Sequence, residues 1–205
     1  MFGKLSTLTK VLGSVAAIGT AASVAGLGTF GTFTSTTSAS ESVASGTVAI
    51  ALGTAGSATN RLTVGASGLV PGDTLERAVK LSNTGTQALA GITLTSSATT
   101  SSLLDTDTTN GLQMVVQSCS VAWTEGGTAP AYTYTCSGTT TSVLTTRPVI
   151  QSNVTMPGLN SIASGGSDFL LFSLTFPTVA PNTLQSQSSV LQFSFNGTQR
   201  AATNQ

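Results

Sequence analysis

From Thr47 onward, apolar residues recur at every second position. Val48, Ile50 and Leu52 share one face of TVAIAL, as Leu62 and Val64 do in RLTV. In LERAVKLSN, Leu75, Val79 and Leu81 alternate with Glu76, Ala78 and Lys80. Ile92 aligns with Leu94, then Leu170, Phe172, Leu174 and Phe176, and finally Leu191, Phe193 and Phe195. Successive side chains of a strand point to opposite sides of its sheet, so this period implies strands with one buried face. Turns rich in Gly, Ser and Pro separate the runs. In Val70–Asp73, Pro71 presets φ at the first central position and Gly72 accepts positive φ at the second. Asn83-Thr84-Gly85 marks another tight connection. No long amphipathic helix interrupts the pattern. The expected fold class is all-β: a two-sheet antiparallel sandwich of jelly-roll type over residues 47–205, preceded by an extended N-terminal arm.

The first 46 residues follow a different pattern. Lys4 and Lys10 precede a run of small and apolar residues, Val11 to Phe30, and the next charge is Glu41. This reads as a secretory signal peptide over residues 1–31, with a membrane-spanning helix as the rival. Thr29-Phe30-Gly31 supplies small residues at −3 and −1, which places the cut between Gly31 and Thr32. Ala25, or Gly26 to Gly28, is the alternative. Residues 32–46 then form a low-complexity arm whose only large apolar residues are Phe33 and Val43. Alone it cannot bury enough surface to order itself. It is either a loose tail or a strand that orders only against another molecule.

Composition narrows the chemistry. Among 205 residues, 7% are charged and none is histidine. This excludes Ser–His–Asp and Cys–His nucleophiles, His-ligated zinc and a His general base. A net charge of +0 leaves no electrostatic footprint for nucleic acid. Removing Lys4 and Lys10 with the signal leaves five basic against seven acidic side chains. Membrane contact is then expected only through the uncleaved signal.

Export to an oxidising compartment makes a Cys119–Cys136 disulfide the default. The positions of a directly paired antiparallel hairpin have a constant sum. Cys119 with Cys136, Val121 with Tyr134, and Trp123 with Tyr132 all sum to 255. The expectation is a hairpin stapled across its strands, with TEGGTAPA as the connection and Trp123, Tyr132 and Tyr134 facing inward. Asp105, Asp107 and Asn110 in DTDTTNG are a weak candidate for an irregular calcium site, against the simpler reading of a polar turn. Asp73 and Glu76 neighbour Arg77 and Lys80 and read as a solvated charged strand edge. No catalytic constellation and no cofactor motif is present.

Three segments taken together resemble the TasA/camelysin family of secreted bacterial biofilm-fibre proteins. They are GLGTFGTFTSTTSASESVASGTVAIAL, GLVPGDTLERAVKLSNTGTQAL and SSVLQFSFNGTQ. The resemblance implies a jelly-roll subunit, released by a dedicated signal peptidase, that polymerises head to tail by donor-strand exchange. The arm residues Thr32, Phe33, Thr34, Thr37, Ala39 and Val43 would contact the next subunit, with Phe33 as anchor. It implies an extracellular matrix or cell-surface location, with the chain itself and other matrix components as partners. A monomeric surface adhesin and a camelysin-like peptidase are the rival functions. The chain departs from the family pattern in its cysteine hairpin, which resembles a secreted actinobacterial branch, and in its scarcity of Lys and Asp. The peptidase description finds no H-E-x-x-H motif here.

Overall fold

The computed structural model describes residues 47–202. The signal segment, the Gly31–Thr32 cleavage position and the arm residues Thr32, Phe33, Thr34, Thr37, Ala39 and Val43 lie outside the described residues. The fold is all-β and antiparallel. Its strands are β1 (Ile50–Leu52), β2 (Val64–Ala66), β3 (Thr74–Asn83), β4 (Leu89–Thr100), β5 (Gln113–Cys119), β6 (Thr124–Thr128), β7 (Ala131–Thr135), β8 (Thr140–Pro148), β9 (Gln151–Thr155), β10 (Ser167–Thr175) and β11 (Ser189–Gln199). A single turn of helix, α1 (Leu103–Thr106), joins β4 to β5.

Two sheets form the sandwich. The first runs β1-β3-β10-β5-β8 and the second β2-β11-β4-β9. The period-two residues meet between them. Val79, Leu81, Met114, Val116, Leu170, Phe172 and Leu174 from the first sheet pack against Val64, Ile92, Leu94 and Leu191 from the second. Phe172 is fully buried, which contributes ~1.5–3 kcal/mol relative to exposure. The VPGD turn forms as its sequence requires: Gly72 has φ 101°, and the Asp73 amide donates to the Val70 carbonyl at 3.0 Å. Asn83 closes the other turn, its Oδ1 accepting from the Gly85 amide at 2.9 Å.

Two expectations are corrected. In the first run, Ile50 is half-buried, but Val48 and Leu52 are 37% and 39% exposed, because β1 is a three-residue edge strand. The second correction concerns the cysteines. The disulfide is present, but the hairpin register is not the one their direct pairing requires. Thr128 pairs with Ala131 at the tip and Cys119 with Thr140 at the base, a constant sum of 259. A two-residue turn at Ala129-Pro130 lets Thr124–Thr128 pair as a strand instead of serving as loop. That satisfies backbone groups which the longer loop would leave open.

In a straight hairpin of this register, Cys136 would face Trp123, four residues and ~13 Å beyond Cys119. The two cysteine Cα atoms are 5.8 Å apart. The hairpin is therefore bent between β5–β8 and β6–β7, and the disulfide staples the bend. Phe169, the cross-strand partner of Cys119, alternates with the core residues Leu170 and Phe172, so Cys119 points away from the core. The bent hairpin lies on that outer face. Beneath it the registered pair Ala78 and Leu171 is buried although neither belongs to the main core.

Candidate functional site

The hairpin is held by side chains that recur on one face of each strand. Trp123 Nε1 donates to the Phe169 carbonyl at 2.9 Å. Glu125 accepts from Arg61 Nη2 at 2.7 Å, from Arg61 Nε at 3.0 Å, and from the Tyr134 hydroxyl at 2.8 Å. The Arg61 hydrogen bond holds the Glu125 carboxyl below the usual carboxylate range. Burial, reinforced by the Glu125 hydrogen bond, pushes the Tyr134 phenol up to about 12. Trp123, Tyr132 and Tyr134 all lie half-buried on the inward face, as expected, but Glu125 takes the place assigned to Val121. Val121 is 41% exposed.

Arg77 is the residue that the sequence reading misplaced. It is 5% exposed, not solvated. It falls in phase with Leu75, Val79 and Leu81, and that phase was the available signal. Its guanidinium donates to the Glu76 carbonyl at 2.6 Å and to the Pro130 carbonyl at 3.1 Å, and sits 5.3 Å from the centre of the Tyr132 ring. Among the described residues the Arg61–Glu125 contact is the one close ion pair, and Arg77 acts on the Glu125 carboxylate only at longer range. It lines a cavity of about 350 Å³ with Arg61, Asn60, Thr63 and Tyr132.

An open edge lies on the same side of the sandwich. β11 pairs with β4 along its length, but with β2 only over Ser189–Leu191. From Gln192 to Gln199 its second edge has no strand partner among the described residues. Phe193 and Phe195 are half-buried on this stretch, their rings 5.0 and 6.1 Å from that of Phe172. A second cavity, about 280 Å³, lies over Phe193 and shares Gly56, Asn60 and Thr63 with the cavity at Arg77.

The calcium candidates are engaged locally. Burial raises the Asp105 carboxyl, but hydrogen bonds from Ser189, the Ser102 amide and Ser101 outweigh it, and the net shift is downward. Asp105 thereby completes the capping box of α1. Asp107 accepts from the Asn110 and Thr109 amides, each at 2.9 Å, and from the Asn110 side chain, which lower its carboxyl. The two carboxylates serve different turns.

The family model for Camelysin metallo-endopeptidase matches residues 7–204. The chain belongs to the camelysin family. A comparison with the curated proteins finds no match. The camelysin description implies a catalytic metal, which the donor set here does not fit. Zinc sites draw on His, thiolate and carboxylate. This chain has no histidine, and both cysteines are disulfide-bonded. Among the described residues no three acidic or sulfur ligands converge. Asp168 accepts from the Asn160 and Ser161 amides and the Asn160 side chain, Asp73 accepts from the Val70 amide, and Glu125 holds Arg61.

Proposed function

We propose that this camelysin-family chain is a secreted structural subunit, not a peptidase, and that it polymerises head to tail by donor-strand exchange into extracellular fibres. The unpaired edge of β11 carries this reading. Among the described residues eight positions of β11 backbone lack a strand partner there, above two half-covered phenylalanines. A strand laid along that edge would pair the backbone and cover the rings. The edge is ~26 Å long and the 15-residue arm up to ~50 Å, so the arm is long enough to fill it. Each subunit offers one arm and, in this reading, the β11 edge as its acceptor. The contact is therefore heterologous, and it propagates instead of closing. In this reading the signal peptide tethers the arm until cleavage between Gly31 and Thr32.

Electron microscopy of protein beginning at Thr32, beside protein lacking residues 32–45, tests the proposal. The longer form is expected to make filaments and the shorter to remain a folded, β-rich monomer. Phe33→Ala should weaken assembly more than a change at Ser35. Filaments of unchanged morphology from the shorter form would replace strand exchange with lateral edge pairing.

A further inference from the structure

We infer that Arg77 receives the Glu41 carboxylate of a second copy's arm in the cavity beneath the hairpin tip, and that this ion pair sets the register in which copies join. The inference rests on the strand-exchange reading above. Arg77 is a buried guanidinium with two of its five N–H donors spent on carbonyls and no close ion pair among the described residues, Glu125 being held by Arg61 and acting on Arg77 only at longer range. A buried charge of this kind is costly unless it is paired, and a carboxylate is the group whose geometry matches it. Glu41 is the one charged residue of the arm, Thr32–Gly46. In an extended strand it shares a face with Phe33, Thr37, Ala39 and Val43. The cavity holding Arg77 adjoins the one over Phe193, so an arm filling the β11 edge passes within reach of both.

The register of β1 starts the chain's own arm at a distance from Arg77. Ile50 pairs with Asn83, and the Thr47 amide donates to Thr86, so the chain traced back from β1 runs past Asn83, away from Arg77. Arg77 stands six residues down β3 from Asn83, ~20 Å in the opposite direction. The six residues from Thr47 back to Glu41 span at most ~20 Å, and a reversal would use part of that. A neighbour's arm laid along the β11 edge meets no such distance.

The walls of the cavity explain the hairpin. Pro130 and Tyr132 close one side, Arg61 and Asn60 another. The disulfide and the Glu125–Arg61 pair therefore hold the tip where it shapes the seat for the incoming acid.

Charge reversal tests this on chains beginning at Thr32, with filament formation followed by sedimentation and electron microscopy. Glu41→Arg and Arg77→Glu should each raise the critical concentration at least about tenfold, because each buries like charges together. An equimolar mixture of the two single variants should assemble as the wild type does, since each arm then meets an edge of opposite charge. The double variant E41R/R77E should also assemble. Glu41→Gln, Arg77→Gln and their combination provide a milder cycle, in which the double loss should not exceed the larger single loss. The arm-deleted form of each Arg77 variant, melted alone, shows whether its domain folds. Wild-type assembly by E41R would overturn the ion pair while strand exchange stood, provided that deletion of the arm still abolished filaments. Assembly by the double variant but not by the mixture would place the acid in its own chain and overturn the inference. Unchanged filaments from arm-deleted protein would overturn both readings.

Discussion

Cys119 and Cys136 are bonded although neither stands opposite the other in the hairpin that carries them. Cys119 pairs with Thr140, and the β6–β7 register carried one step further would set Cys136 opposite Trp123. The bond exists because the hairpin bends, and it keeps the outer strands lying on Ala78 and Leu171. Its role is to hold a third layer on the sandwich, not to close the core.

Replacing both cysteines by serine should therefore release the hairpin before it unfolds the sandwich. The cross-link closes a short loop and is worth ~3 kcal/mol in the chain-entropy model. Trp123 fluorescence should shift to the red as its contact with Phe169 is lost. Amide exchange should rise first in β6 and β7, with β10 and β4 still protected. Equal loss of protection in all four strands would contradict a separable layer.

Acid should loosen the same layer. The folded Glu125 carboxyl lies below its ordinary value of 4.5. Its stabilising effect is therefore complete above that value and is lost as pH falls through the lower folded value. Exchange in β6 and β7 should accelerate as pH falls below 4.5, and Glu125→Gln should remove that dependence. On the alkaline side the Tyr134 phenol titrates near 12 instead of 10.0. The folded state then retains a proton that the unfolded state releases, so stability should fall as pH rises from 10.0 toward about 12. Tyr134→Phe should remove that second dependence.

Phe172 and Phe193 touch, but truncation should affect them differently. Phe172→Ala removes a ring from the sealed core and should cost ~3–5 kcal/mol, read as a lower melting temperature of the monomer. Phe193→Ala lies beneath the open edge of β11. It should cost the isolated domain less than half as much, yet raise the critical concentration for assembly at least as strongly as Phe33→Ala.

Chelation should leave the protein unchanged. With no histidine and both sulfurs cross-linked, EDTA should shift the melting temperature by less than about 1 °C, well below the shift for losing a tightly bound ion. Casein cleavage by homogeneous protein, abolished by chelator and restored by zinc, would count against a purely structural subunit.

The chain by itself determined the class of fold, the inward residues of the long strands and the existence of the cross-link. These follow from local rules: the two-residue period of a strand, the φ preference of Pro71-Gly72, and the presence of two cysteines. It did not reveal β8 and β9, where TTSVLTTRP and QSNVT carry few large apolar residues and pair because neighbouring strands offer them a ladder. The hairpin register depended on how many residues the turn consumed, and Ala129-Pro130 consumed two where eight were expected. Arg77 shows the same limit. Its phase placed it inward, its charge argued outward, and only the hairpin tip folding over β3 supplied carbonyls and an aromatic ring to bury it. Which edge of β11 stayed open was likewise a tertiary outcome, because the reach of β2 along it depends on where the loop from β1 turns back.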